Sequence, residues 1–162
     1  MNPEMVREGL LQTWRINQEI LEELIDEIPE EALSVTLSRK GSRTILDQLN
    51  HLHMVRMMWA SIFDKKMKSG STKSVTPVPV QEVRKNLRAS YEYVISMLDA
   101  GLTNKGKIKG IGMDVFTFHS YLISHESHHR GNILLSLKSA GFSVGKDFSY
   151  AIWDWKKRRS DA

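Results

Sequence analysis

An all-α fold, a four-helix bundle, is predicted by three features of the sequence. Apolar residues recur at helical spacing in four long stretches, proline or glycine stands where most of those stretches should stop, and no segment alternates as a strand would. With 162 residues, 41% of them hydrophobic and 26% charged, the chain is long enough for one ordinary globular domain, and neither disorder nor a collagen-like repeat fits.

Each element follows from its pattern. Residues 4–28 place Leu10, Trp14, Asn17, Leu21, Leu24 and Ile28 at alternating spacings of four and three, the stripe by which a helix buries one face, and Pro29 ends it. Thr44 and Asp47 form an [ST]-x-x-[DE] start for a second helix running to about Lys68, with Ile45, Leu49, Leu52, Trp59 and Phe63 on its core side. Ser69 to Pro79, rich in Ser, Thr and Pro, reads as a connection long enough to cross one end of a bundle. A third helix over 80–100 carries Val83, Leu87, Tyr91, Val94 and Leu98, with Gly101 where a C-terminal glycine cap belongs. The fourth runs from about Met113 to Ala140 and closes at Gly141. The aromatic stretch from Phe142 to Trp155 should pack over one end of the bundle, and an oligomer contact is the alternative. The whole chain, 1–162, reads as a single domain, with 156–162 a basic tail.

Charge and composition narrow the function classes. Residues 1–34 hold nine acids and two bases, a local charge of −7, which leaves +11 for the remainder of a chain whose net charge is +4. The run Lys156, Lys157, Arg158, Arg159 reads as a solvated tail, so no nucleic-acid partner is expected. No apolar run approaches the ~18 residues of a membrane span, and the start of the chain does not read as a signal peptide. A cytoplasmic protein with no membrane partner is the expectation. Zero cysteines exclude disulfides, thiolate metal sites and a thiol nucleophile belonging to the chain.

The chemistry-bearing residues are histidines. On the fourth helix the seam runs Val115, Phe118, Leu122, His125, His129, Ile133 and Leu137. At ~100° per residue, His125 and His129 fall within about 50° of the apolar stripe, whereas His128 lies roughly 110° away. An i, i+4 pair of imidazoles projects from adjacent turns of one face and can chelate a divalent ion at Zn–N distances of ~2.0–2.1 Å. A third ligand would come from His51 or His53, which lie on opposite flanks of the second helix's stripe, and periodicity does not choose between them. Two seam histidines are costly to bury without partners, and one cation engages both acceptor nitrogens at once.

Two motif matches point elsewhere. His125-Glu126-Ser127-His128-His129 also satisfies H-E-x-x-H, in which the glutamate is a protease's general base, but the extended motif is missing and no strand could align a peptide. Here Glu126 reads equally as a base or a helix-surface acid. Gly101 to Lys107 spells G-x-x-x-x-G-K, yet Ile108 replaces the Ser or Thr of a phosphate loop and a helix precedes it instead of a strand.

The run from Tyr121 to Ile133, containing His125-x-x-x-His129-Arg130-Gly131-Asn132, together with Leu49-Asn50-His51-Leu52, resembles the DinB-like (DinB/YfiT) superfamily. The resemblance covers nearly the whole chain. It implies a four-helix bundle in up-down-down-up order with a long crossover between helices 2 and 3, and a homodimer. It also implies metal ligation by His51, His125 and His129, choosing His51 over His53. Asn132 stands where the superfamily commonly has glutamine and is a weak substrate-binding candidate beside Asn17, which interrupts the first helix's seam. His53, His119 and His128 lie outside the implied triad.

Three neutral imidazoles leave a bound ion's charge uncompensated and a coordination position open, which favours an anion there. Either water or an external thiol would be activated. The resemblance favours the thiol: a bacterial-type, Zn- or Ni-dependent S-transferase using a low-molecular-weight thiol cosubstrate against a small electrophile. The alternatives are a metal-dependent hydrolase and a non-catalytic stress-response module braced by its ion.

Overall fold

The structure, a computed structural model, describes residues 2–38, 41–67 and 78–159. Four long helices are α1 (Pro3–Glu27), α2 (Ile45–Phe63), α3 (Val80–Thr103) and α4 (Val115–Ser139), followed by a short α5 (Lys146–Ala151). Among the described residues there are no strands, only two isolated bridges, Thr36 to Thr44 and Lys107 to Asp114. The all-helical expectation is therefore met.

Local signals set most helix ends. Asn2 caps α1 by accepting the Glu4 amide, and Asp114 caps α4 by accepting those of Phe116 and Thr117. Thr44 and Asp47 make the expected reciprocal capping box, each side chain bonded to the other's backbone N–H. Two ends differ from expectation. Helix α2 stops at Phe63 and gives way to a turn over 64–67; Lys68 and the proposed crossing segment through residue 77 lie outside the described residues. Gly101 does not terminate α3 but lies buried inside it, because a Cβ there would sit 2.8 Å from Ile108 and 3.1 Å from Val115. Its role is close packing of the Lys107–Asp114 connection against the helix. The chain turns out at Asn104, and Lys105 and Gly106 take positive φ as the Gly106 amide bonds the Gly101 carbonyl.

Among the described residues the interior forms two apolar clusters. One joins Leu21, Leu24 and Ile28 of the C-terminal part of α1 and its exit to Ile45, Leu49 and Leu52, Val83 and Leu87, and Ile133 and Leu137. The other joins Trp14 to Ala60, to Val94, Met97 and Leu98, and to Val115, Phe118 and Leu122. On every long helix a buried polar residue falls between the two: Asn17 and Gln18, Arg56, Ser90, and Glu126.

The tail packs in part as expected. Phe148 enters the first cluster, with Phe142, Val144 and Ile152 beside it, while Tyr150 and Trp153 stay about three-quarters exposed. The basic run is not wholly solvated: Arg158 is nearly buried, makes a two-pronged ion pair with Glu23 and donates to the Ala151 carbonyl. Arg84 and Arg88 similarly meet Glu22, and Arg84 also meets Asp26. Part of the negative charge of the first helix, at Glu22, Glu23 and Asp26, is thus paired with bases of α3 and the tail.

Candidate metal centre

Helix α2 brings His51, and α4 brings His125 and His129, to one place. One ligand atom from each lies within 4.8 Å of the others, and the ring centroids are 4.8 to 5.3 Å apart. The three form a group that could hold one metal ion, once small ring rotations bring their nitrogens to within about 4.2 Å of one another, the limit set by Zn–N bonds of ~2.1 Å. Burial is graded: His129 is buried, His51 and His125 half-buried. His51 also lines a groove of about 1220 Å³ formed by the end of α1, Leu33 and Ser34, Arg43 and Thr44, the start of α2 and the start of α3.

The electrostatics suit ligation. Burial first, then the charge of Arg43 and the neighbouring His125, pushes His51 down to about 4. His129 is also pushed down to about 4, by burial and then by His125, His51, His128 and Arg43. Burial lowers His125 too, with Glu126 acting in the opposite sense. All three rings are therefore neutral at neutral pH and keep a lone pair free for an ion, the form that metal binding requires. Gln48, itself buried, places its Oε1 3.4 Å from His129 Nδ1. A His129 protonated on Nδ1 donates to that oxygen and leaves Nε2 as the ligand atom. Tyr121 stacks on the His125 ring, centroids 6.0 Å apart, and is itself held edge-on by Trp59.

Directly beside the triad lies a second polar cluster that sequence reasoning missed. Arg56 is fully buried and bonds both oxygens of the buried Glu126, at 2.7 and 2.9 Å. It also donates to Gln18 and to the Leu87 carbonyl, and its guanidinium lies 4.8 Å over the Trp14 ring. Asn17 donates to Glu126 at 2.6 Å and accepts from Arg130. Glu126 is neither a surface acid nor a free base: both oxygens are engaged, so the glutamate of the H-E-x-x-H match has no lone base to offer. The signal was present in the sequence, since Arg56 follows Leu49 and Leu52 on the seam and Glu126 follows Leu122 by one turn.

The remaining histidines go elsewhere. His53 packs against the α3 backbone at Asn86, and the buried His119 pairs with Thr13 Oγ1 at 3.0 Å. Exposed His128 meets the Asn132 amide at 3.0 Å, with its ring 5.2 Å from that of His129. Asn17 is wholly buried, with both ends of its amide taken by protein groups.

Comparison with known proteins agrees with the helical fold. A crystal structure of a DinB-like protein from Bacillus cereus superposes with a TM-score of 0.64 at 26% identity, covering 85% of this chain and 95% of that one. No curated protein matches. The profile of the DinB family matches residues 1–156, bundle and histidine cluster together, and the chain belongs to the DinB family.

Proposed function

We propose that the protein is a metal-dependent enzyme in which His51, His125 and His129 hold a Zn or Ni ion and a low-molecular-weight thiol is activated to attack a small electrophile. The observation that carries this is the convergence of three neutral imidazoles, one of which, the half-buried His51, opens onto a groove. A divalent ion, when bound, supplies the positive charge that lowers the pKa of a thiol or water reaching its open position. The chain's own part is to hold and orient. Gln48 fixes the face that His129 presents, Tyr121 limits the swing of His125, and the Arg56–Glu126 pair anchors α4 against α2. With no cysteine in the chain, the nucleophilic sulfur comes from the cosubstrate.

The finer features of the reading follow. The C-terminal part of α1 meets the starts of α2 and α3 and the end of α4 in one cluster, which supports an up-down-down-up order, α2 ending at one end of the bundle and α3 starting at the other. We take the chain as one domain, acting as a cytoplasmic homodimer on small molecules. Asn132, beside His128, remains the substrate-side candidate, whereas Asn17 serves by holding Glu126. An ion serving only as a brace would be redundant, because Arg56 and Glu126 already tie α2 to α4. A hydrolase using the same ligands is the competing chemistry.

Elemental analysis of the purified protein, followed by a screen of small thiols against electrophiles, tests the proposal. Near-stoichiometric metal and thiol consumption that depends on it are expected. Metal-dependent turnover in which thiol is not consumed would replace the transferase by the hydrolase, and a full complement of metal with no turnover of either kind would leave the brace.

A further inference from the structure

Arg43 differs from the arginines of the bundle helices. Arg7, Arg56, Arg84 and Arg88 each meet a carboxylate, Arg130 meets Asn17 and Ser127, and Arg15 meets Glu19. Arg43 is exposed and has no hydrogen-bond or ion-pair partner among the described residues. It stands one residue before the Thr44 cap of α2, so that it overhangs the helix face which carries His51 two turns later, and both residues line the same groove. Its charge also acts on all three ligand histidines, the only non-imidazole group to do so.

The acids of that groove do not answer it. Asp47 is turned to the Thr44 backbone in the capping box, Asp26 is joined to Arg84, and Glu30 makes no ion pair with Arg43. The helix end beneath is already capped and is not itself an anion site. A guanidinium beside a site for a divalent cation repels that cation unless an anion lies between them. Its planar donors match a carboxylate or a phosphate.

Resting on the function proposed above, we infer that Arg43 anchors an anionic group, a carboxylate or phosphate, carried by the small molecule that reaches the His51–His125–His129 centre through the groove. Arg43 is thus a specificity residue: it selects anionic over neutral molecules of equal size.

Cobalt-substituted protein gives a readout independent of turnover. The cobalt spectrum is titrated with 3-mercaptopropionate and with 3-mercapto-1-propanol, a matched pair differing in the carboxylate, in the wild type and in R43K and R43Q, after equal metal content and melting temperature are verified. The wild type should bind the acid about tenfold more tightly at low salt, a preference that R43K keeps in part and R43Q reduces to about onefold. Competition by acetate against inorganic phosphate then tells which anion the anchor prefers. An equal preference in wild type and R43Q, or none in either, overturns the role of Arg43 and leaves the thiol reading intact. A cobalt spectrum that neither thiol perturbs removes that reading, and the anchor with it.

Discussion

Helix α4 carries two polar clusters one peptide bond apart, and they answer burial in opposite ways. Glu126 turns to Arg56 and Asn17 and finds every hydrogen bond inside the protein, whereas His125 and His129 turn to His51 and meet rings that, like themselves, offer a lone pair. Each neutral ring keeps one acceptor nitrogen, and a single cation can engage all three at once. The contrast teaches how to sort buried polar groups in this fold: a cluster closed on opposite charges serves the architecture, and a cluster of like, ligand-bearing groups is the candidate for chemistry.

The comparison is broken most severely by Glu126→Ala. It strands the fully buried Arg56 charge, and urea denaturation should show a loss of about 3–5 kcal/mol. Replacing both partners, Arg56→Met with Glu126→Leu, should recover part of that, since the buried Arg56 charge is removed together with its carboxylate. His125→Ala should do the reverse: little change in the stability of the metal-free protein, with metal affinity down roughly 100-fold or more by competition with a chromophoric chelator. Retention of full metal would refute the ligand set. Gln48→Ala sharpens the distinction by removing only the acceptor behind His129, for an expected loss of about 10-fold in metal affinity with the fold unchanged.

The last test concerns pH. In metal-free protein the folded His51 and His129 titrate near 4, against 6.5 for the free side chain, so the unfolded chain takes up protons first. Their contribution is intact above about pH 6.5 and is lost as the pH falls toward 4. Urea midpoints of chelator-treated protein should drop across that window, and His51→Ala should flatten the drop. A midpoint independent of pH there would mean that the rings are solvated in the folded state.

Much of the bundle was legible because a helix buries one face, and the 3.6-residue period writes that face into the chain. His125 and His129 were readable for the same reason, being polar residues on an apolar seam. His51 was not: it and His53 flank the stripe of α2 almost symmetrically, and only the resemblance chose between them. Arg56 was passed over and Glu126 was weighed only as a base or a surface acid, although each stands in line with its helix's apolar seam. Their meaning lies in opposite charges at matching depth on two helices that pack together, which requires knowing which helices meet. Gly101 was misread for a similar reason: the atoms that exclude a side chain there belong to Ile108 and Val115, and only the folded connection brings them close.

The layer of Asn17, Gln18, Arg56, Ser90 and Glu126 works as a bulkhead, dividing the interior into two compartments that do not share an oily continuum. Damage should stay on the side where it occurs. A cavity opened around Phe118 or Val94 would loosen that end of the bundle while the far compartment kept its shape, and sliding the helices by a turn would drive ions into oil at both ends.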